Sequence, residues 1–461
     1  MSRPYRLIAL PLLALCVAVA WAADPPANEL DPAADALSEV VEEATAPPPV
    51  IPGVRPINLD DVRKFTAVLS LVKQAYVEEV DDARLMQAAI RGMLVGLDPH
   101  SEYLEANEVD QLAEDTSGSY QGLGIEVTTL DGTLRVVSPI DNTPAARAGI
   151  KPGDVILRID EVAVQADNIN DAVELLRGKP GSEVTLSILR EGASAPQDFT
   201  LKRELIRVAS VRGRMLDPGY AYLRVSQFQS ETGSELRKRI DRLQKDNGKP
   251  LLGAVLDLRT NPGGLLTAAV EVSDTLLDSG VIVTTRGRIK EAEMAFRATP
   301  GDALNGAPMV VLIDNGSASA AEIVAGALKD NRRALLMGRR SFGKGSVQTV
   351  LSLDETHAIK LTTARYYTPS GVSIQAAGIQ PDIELADLAL TDNARDPFGS
   401  VSERDLRNHL KGDVEEPASA PAPTARAAIG APRDYALTEA LNALKAMALQ
   451  KRTSPPAEKN G

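Results

Sequence analysis

Apolar positions recur along the chain with different spacings, and the changes of spacing divide it into segments. Leu7 to Val19 is an unbroken apolar run behind two arginines, Arg3 and Arg6. From Leu59 to Leu104 the spacing is helical, through Phe65, Val68, Leu69, Leu71 and Val72 and then Leu85, Ala88, Ala89, Met93 and Leu94. Such faces predict two or three helices packed on each other or on a second copy. Ser117 to about Leu205 changes texture, with short alternating runs and one helix over Asn168–Leu176. There Gly122-Leu123-Gly124-Ile125 leads into a strand, Leu130-Asp131-Gly132-Thr133 reads as a hairpin turn, and Val184–Leu189 as a further strand.

After Val208 short buried runs alternate with helical ones. Leu251–Leu258 is a strand and Leu265–Leu277 a helix; Val281–Thr284 and Pro308–Ile313 are further strands. A helix beginning near Ser319 follows, then strands at Ala334–Met337, Val347–Leu351 and Ala358–Arg365. This alternation predicts an α/β fold with a mostly parallel sheet covered by helices, whose active sites lie at strand C-termini. Tyr435–Leu449 is an amphipathic helix in need of a partner surface, reached through an Ala/Pro-rich linker over Glu415–Pro432. The divisions expected are 1–22 as a signal segment, 23–56 as an extended Pro/Ala-rich tether and 57–116 as a helical region. Residues 117–206 form a β-rich domain, 207–395 with part of 57–116 the α/β core, and 396–461 a linker and helix suited to oligomerisation.

Composition narrows the function classes. At 461 residues with 44% apolar content the chain can fill more than one core. Aromatics make up only 3%, so base-stacking platforms are not expected, and a net charge of −13 opposes binding to nucleic acid or acidic lipid. Arg3 and Arg6, the apolar run and Ala20-Trp21-Ala22 form the three parts of a cleavable export signal. The run is too short to span a bilayer, which takes about 20 residues. A lipid-modified Cys16 is the alternative, but Leu15 is bulky before it and the apolar run continues past it. Cleavage after Ala22 removes the single Cys and leaves a mature charge of −15. A periplasmic or secreted protein without a membrane span, disulfide or cysteine nucleophile is expected.

The candidate chemistry gathers between Asp314 and Gln348. Asp314-Asn315-Gly316-Ser317-Ala318-Ser319-Ala320-Ala321-Glu322 puts a serine at a helix start, where free N–H groups favour negative charge. Phe342-Gly343-Lys344-Gly345 holds a lysine in a tight turn, with Gln348 four residues on. Gly338 to Lys344 also fits a phosphate loop, but Gly345 replaces the Mg²⁺-binding hydroxyl and a strand-like run follows where a helix is needed. The histidines are His100, His357 and His409; His357 could reach Ser319 only from a strand edge, and His100 beside Pro99 reads as structural. No cluster has metal-ligand spacing. A lysine drawn into an apolar pocket can lose its proton and serve as a base. Gln348 would then orient its amine without adding negative charge.

These residues resemble the C-terminal processing peptidases, also called tail-specific proteases. The resemblance rests on Ser317-Ala318-Ser319-Ala320-Ala321-Glu322-Ile323, Phe342-Gly343-Lys344-Gly345, Gln348, and Asp257-Leu258-Arg259-Thr260-Asn261-Pro262-Gly263-Gly264. Thr362 to Gly371 and Gly378 to Asp382 match as well, and the likeness covers roughly residues 58–385. It implies a crotonase/ClpP-like α/β protease core with an inserted PDZ domain and helical N- and C-terminal regions. Ser319 is implied as nucleophile, with Lys344, 25 residues on, as base and Gln348 orienting it. Backbone N–H groups of Gly263 or Gly264 and of Ala320 form the implied oxyanion hole. Gly122, Leu123, Gly124 and Ile125 become the loop that cradles a substrate's C-terminal carboxylate. Ala321 departs from the family, where many members carry a third serine. The implied activity is serine endopeptidase cleavage of polypeptides recognised by their tails, with cell-envelope proteins as substrates and no cofactor. Self-association through the terminal helices and an adaptor protein are the other partners expected. A non-catalytic PDZ scaffold is the competing reading; a crotonase-like acyl-thioester enzyme fits an exported, PDZ-bearing chain less well.

Overall fold

The computed structural model describes residues 58–130, 132–386, 408 and 434–453. The signal segment, the tether, the Ala/Pro-rich linker, Asp131 of the hairpin turn and His409 lie outside the described residues.

A six-stranded sheet carries the core. Its strands run Val211–Asp217, Tyr220–Val225, Gly253–Asp257, Met309–Ile313, Leu335–Gly338 and Ile383–Glu384 in spatial order. The first pair is an antiparallel hairpin and the remaining neighbours are parallel. Both faces are covered, which explains why Gly253–Asp257 and Met309–Ile313 are buried at every position. Side chains alternate between the faces. Ala254, Leu256, Val311 and Ile313 meet the helices Thr232–Asn247, Leu266–Leu276 and Ala320–Asp330. Val255, Val310, Leu312 and Tyr222 meet Leu437, Ala440 and Leu444 of the C-terminal helix Tyr435–Thr453. The partner surface of that helix is therefore the chain's own sheet. An ion-pair cluster fixes the docking: Arg259 bridges Asp257 and Asp434 at 2.6 and 2.7 Å, all three buried.

The parallel sheet is smaller than the sequence pattern implied. Val281–Gly287, Ser346–Ser352 and Ala358–Tyr367 belong instead to a second, antiparallel sheet with Glu102–Leu104 and Met294–Arg297. A hydrophobic run records burial, not strand direction, so periodicity could not separate the two sheets.

The β-rich domain has its own core around Leu123, Leu134, Ile156, Ile159, Leu186 and Ile188. It leaves and rejoins the chain through a two-stranded ribbon, Ser119–Gly122 paired with Glu204–Arg207. Ile125–Leu130 and Thr133–Pro139 pair as the expected hairpin, with Leu130 opposite Thr133. In the N-terminal region, the helix Leu59–Ala75 buries none of its residues, and Val62, Phe65, Val68 and Leu71 stand exposed along it. Among the described residues no helix is long and apolar enough to cross a membrane.

Candidate active site

Three loops leave the C-terminal ends of neighbouring parallel strands and are stitched together. The first, Leu258–Gly264, follows Gly253–Asp257; the second, Asp314–Ser319, follows Met309–Ile313; the third, Arg339–Gly345, follows Leu335–Gly338. Asp314 accepts the Thr260 N–H at 2.8 Å, Asn261 O accepts the Ala318 N–H at 2.9 Å, and Ser317 O accepts the Phe342 N–H at 3.0 Å. Ser317 is fully buried and its hydroxyl donates to Leu258 O at 2.8 Å, so it braces the loops.

Ser319 is the N-cap of the helix Ala320–Asp330 and has φ +52° and ψ −115°. That backbone region is strained for a residue with a Cβ, typically by about 1–3 kcal/mol, and it is found at functional turns. Tyr366 is buried; burial pushes its phenol up to about 12, and the nearby Ser319 side chain opposes the rise. The phenol therefore keeps its proton across the working pH range.

Glu322 joins this serine to the lysine loop. Its carboxylate is fully buried and accepts four hydrogen bonds. Oε2 takes the Ser319 N–H at 2.8 Å and the Lys344 N–H at 2.9 Å; Oε1 takes the Gly343 N–H at 2.7 Å and the Ser341 hydroxyl at 2.5 Å. Burial raises its pKa to about 7, against the opposing pull of those four donors. One side chain thus fixes the Ser319 and Lys344 loops to each other. Lys344 itself is half-buried.

Gln348 lies on the strand that follows Lys344. Its Nε2 donates to Ser346 Oγ at 3.0 Å and Thr362 Oγ1 at 3.3 Å, which turns Oε1 to the other side as an acceptor. The glycines Gly263 and Gly264 take φ +106° and +137°. A Cβ on Gly263 would stand 2.8 Å from Ser319 Cβ and 3.1 Å from Ala320 N, so only glycine leaves the space beside the serine open. The Gly263 N–H is directed to Asn261 Oδ1 at 2.9 Å.

His357 sits on the surface hairpin joining Ser346–Ser352 to Ala358–Tyr367, paired with Asp354 at 2.9 Å and stacked on Tyr103. A seven-residue strand separates it from the Lys344 loop, a distance of about 20 Å. The strand after Gly345 likewise departs from phosphate-loop geometry. Among the described residues no group of His, Cys, Asp or Glu could hold a metal ion.

The second site lies in the β-rich domain. Ile125–Leu130 is the edge strand of its sheet, facing a groove closed by Val173 and Leu176 beside the helix Ile169–Leu175. Leu123, Gly124 and Ile125 line the groove, and Gly124 at φ +73° packs on Thr143. Gln111, Glu114 and Asp115 of the helix Ala106–Ser117 line it as well. Arg177 at its mouth is ion-paired with Glu114, whose hydrogen bond raises the guanidinium pKa.

Comparison with known proteins places this architecture. The Peptidase family S41 profile matches residues 219–385, a PDZ domain profile residues 121–201, and the profile of the activating protease CtpB N-terminal domain residues 28–108. The carboxy-terminal-processing protease of Bartonella bacilliformis is 46% identical over 76% of this chain and 81% of its own. The chain belongs to the carboxy-terminal processing proteases. It is a serine-type peptidase with one PDZ domain on an α/β core. The Bacillus subtilis carboxy-terminal processing protease CtpA is 37% identical over 71% of this chain and 70% of its own. The solved photosystem II D1 C-terminal processing protease is 33% identical, with a TM-score of 0.42 over 70% of this chain and 86% of that one.

Glu322 and Tyr366 reach this site without a local signal in the sequence. Glu322 stands in the matching Ser317–Ile323 stretch, but nothing in its neighbours signals that its carboxylate would reach the lysine loop. Tyr366 lay in a matching stretch with no signal that its ring would reach Ser319. Both depend on loops brought together by the sheets.

Proposed function

We propose that the protein is an exported endopeptidase that cleaves polypeptides by a Ser319–Lys344 dyad after the PDZ domain has captured their C-terminal tails. The observation that carries the reading is Glu322, which holds the Ser319 and Lys344 backbones on one buried carboxylate oxygen. Neutral Lys344 takes the Ser319 proton while the serine oxygen attacks the peptide carbonyl. The negative charge then gathers on the former carbonyl oxygen. The Ala320 N–H stands beside the space that Gly263 keeps open, and Gly264 supplies the partner donor because the Gly263 N–H is directed to Asn261. Such donors are worth about 3 kcal/mol each in the transition state. Lys344 returns the proton to the leaving amine, and water releases the acyl group by the reverse steps. Gln348 Oε1 is the acceptor that orients the lysine amine.

The free edge of Ile125–Leu130 accepts the substrate tail as an added strand, with its carboxylate at the N–H groups of Leu123, Gly124 and Ile125. The exposed stripe Val62, Phe65, Val68 and Leu71 supports self-association through the N-terminal helix. An adaptor would be a second use of that surface. The Arg3/Arg6, apolar-run and Ala20-Trp21-Ala22 pattern supports activity outside the cytoplasm, with cell-envelope proteins as substrates.

The test is incubation of purified Ser319→Ala protein with an unfolded polypeptide. No fragments should form while the melting temperature stays near that of the parent; retained turnover would sink the assignment.

A further inference from the structure

We infer that Asp98 and Thr362 are positioning residues for the reaction: they set the direction of a hydrogen-bond relay that makes the Gln348 oxygen, not its NH₂ group, face the lysine side. The inference rests on the reading of Gln348 as the partner that orients Lys344.

The relay begins in the turn before Glu102–Leu104. Asp98 is buried, and Oδ1 accepts the His100 N–H at 2.8 Å, the Ser101 N–H at 3.0 Å and the Thr362 hydroxyl at 3.1 Å. Oδ2 accepts the Ser101 hydroxyl at 2.7 Å. The strand Ala358–Tyr367 explains why this turn reaches it. On one side it pairs with Ser346–Ser352; on the other it pairs with Glu102–Leu104 through residues 358–360 and with Val281–Gly287 through residues 364–367. Thr362 falls in the gap between those two partners, and its N–H is taken by Ser101 Oγ at 3.1 Å instead of by a strand.

The polarity follows from donor and acceptor inventory. An ionised carboxylate only accepts. The Thr362 hydroxyl therefore spends its one proton on Asp98, and the oxygen can only accept from Gln348. The Ser101 hydroxyl lies 3.5 Å from Thr362 Oγ1, but its proton has the shorter bond to Asp98. Gln348 Nε2 must then point at Thr362 and Ser346, and Oε1 at the opposite side. An amide flipped the other way would present N–H groups to an amine that needs an acceptor. Two neutral links separate the Asp98 charge from the lysine, so direction is transmitted without a negative charge beside the base.

Thr362→Val removes the middle link with little change of shape, and Thr362→Ser keeps it. Asp98→Ala removes the acceptor of the Thr362 proton, which frees that proton to turn toward Gln348. In the full chain, Thr362→Val and Asp98→Ala should each lower kcat about tenfold or more with KM within about twofold, and Thr362→Ser should remain within about threefold of the parent. In a Gln348→Ala background the same substitutions should cost less than about twofold further, because the group they orient is gone. A Thr362→Val protein with parental kcat, or one whose full loss persists on top of Gln348→Ala, would overturn the relay. A Gln348→Ala protein with parental kcat would instead overturn the lysine-orienting reading beneath it.

Discussion

Two glutamates each tie separate parts of this peptidase together, and they do so in opposite ways. Glu322 is fully enclosed, with four donors on its two oxygens, and fixes the serine and lysine loops. Glu114 stands at the mouth of the PDZ groove, a quarter exposed, and ties the helix Ala106–Ser117 to Arg177 through an ion pair that water can replace. The serine and lysine loops are held by bonds that have no solvent substitute; the PDZ groove is tied by an ion pair that has one. A site that must keep its geometry and one that must admit a ligand are thereby built from the same residue type.

The largest effect that would break this contrast is at Glu322. Glu322→Ala strands three backbone N–H groups and the Ser341 hydroxyl, so it should cost about 3 kcal/mol or more of stability and abolish cleavage, read by denaturant unfolding and peptide hydrolysis. Its titration gives a sharper signature. The carboxyl group titrates at about 7 when folded against 4.5 when exposed, so its contribution to stability is complete below 4.5 and is lost as the pH rises through about 7. The melting temperature of the parent minus that of Glu322→Gln should fall across this interval and level off above it.

Next in size is Asp434. Its removal leaves Arg259 with one buried partner, so Asp434→Ala should lower stability by about 3 kcal/mol and loosen the C-terminal helix, seen as faster amide exchange over Tyr435–Thr453. Phe65→Asp should leave folding intact, since Phe65 stands exposed, while lowering the sedimenting mass. Glu114→Gln should be the mildest, changing stability by less than about 0.5 kcal/mol.

The contrast also explains what could be read from the chain. Short-range signals carried far: the Ser319 helix start, the Gly132 hairpin, the PDZ loop and the C-terminal helix all follow from neighbours in sequence. Ser317 and Ser319 were separated by family spacing, and the structure gives a physical difference between them, a fully buried brace and a strained N-cap. What periodicity could not supply was partnership across the fold. Val347 and Ala364 read as parallel-sheet residues but pair antiparallel in the second sheet. The C-terminal helix called for a partner and found it on its own sheet, through an Arg259–Asp434 contact spanning 175 positions. Asp98 and Thr362, 264 positions apart, gave no local sign of meeting.

The central claim is that a neutral lysine is the base that activates Ser319. The most direct measurement is the pH dependence of kcat/KM for a tail-bearing peptide. An ascending limb should appear well below the ~10.4 of a free lysine. It should vanish, together with all turnover, in Lys344→Ala, and persist in His357→Ala and His100→Ala. A limb near ~6.5 that disappears with either histidine would contradict the account.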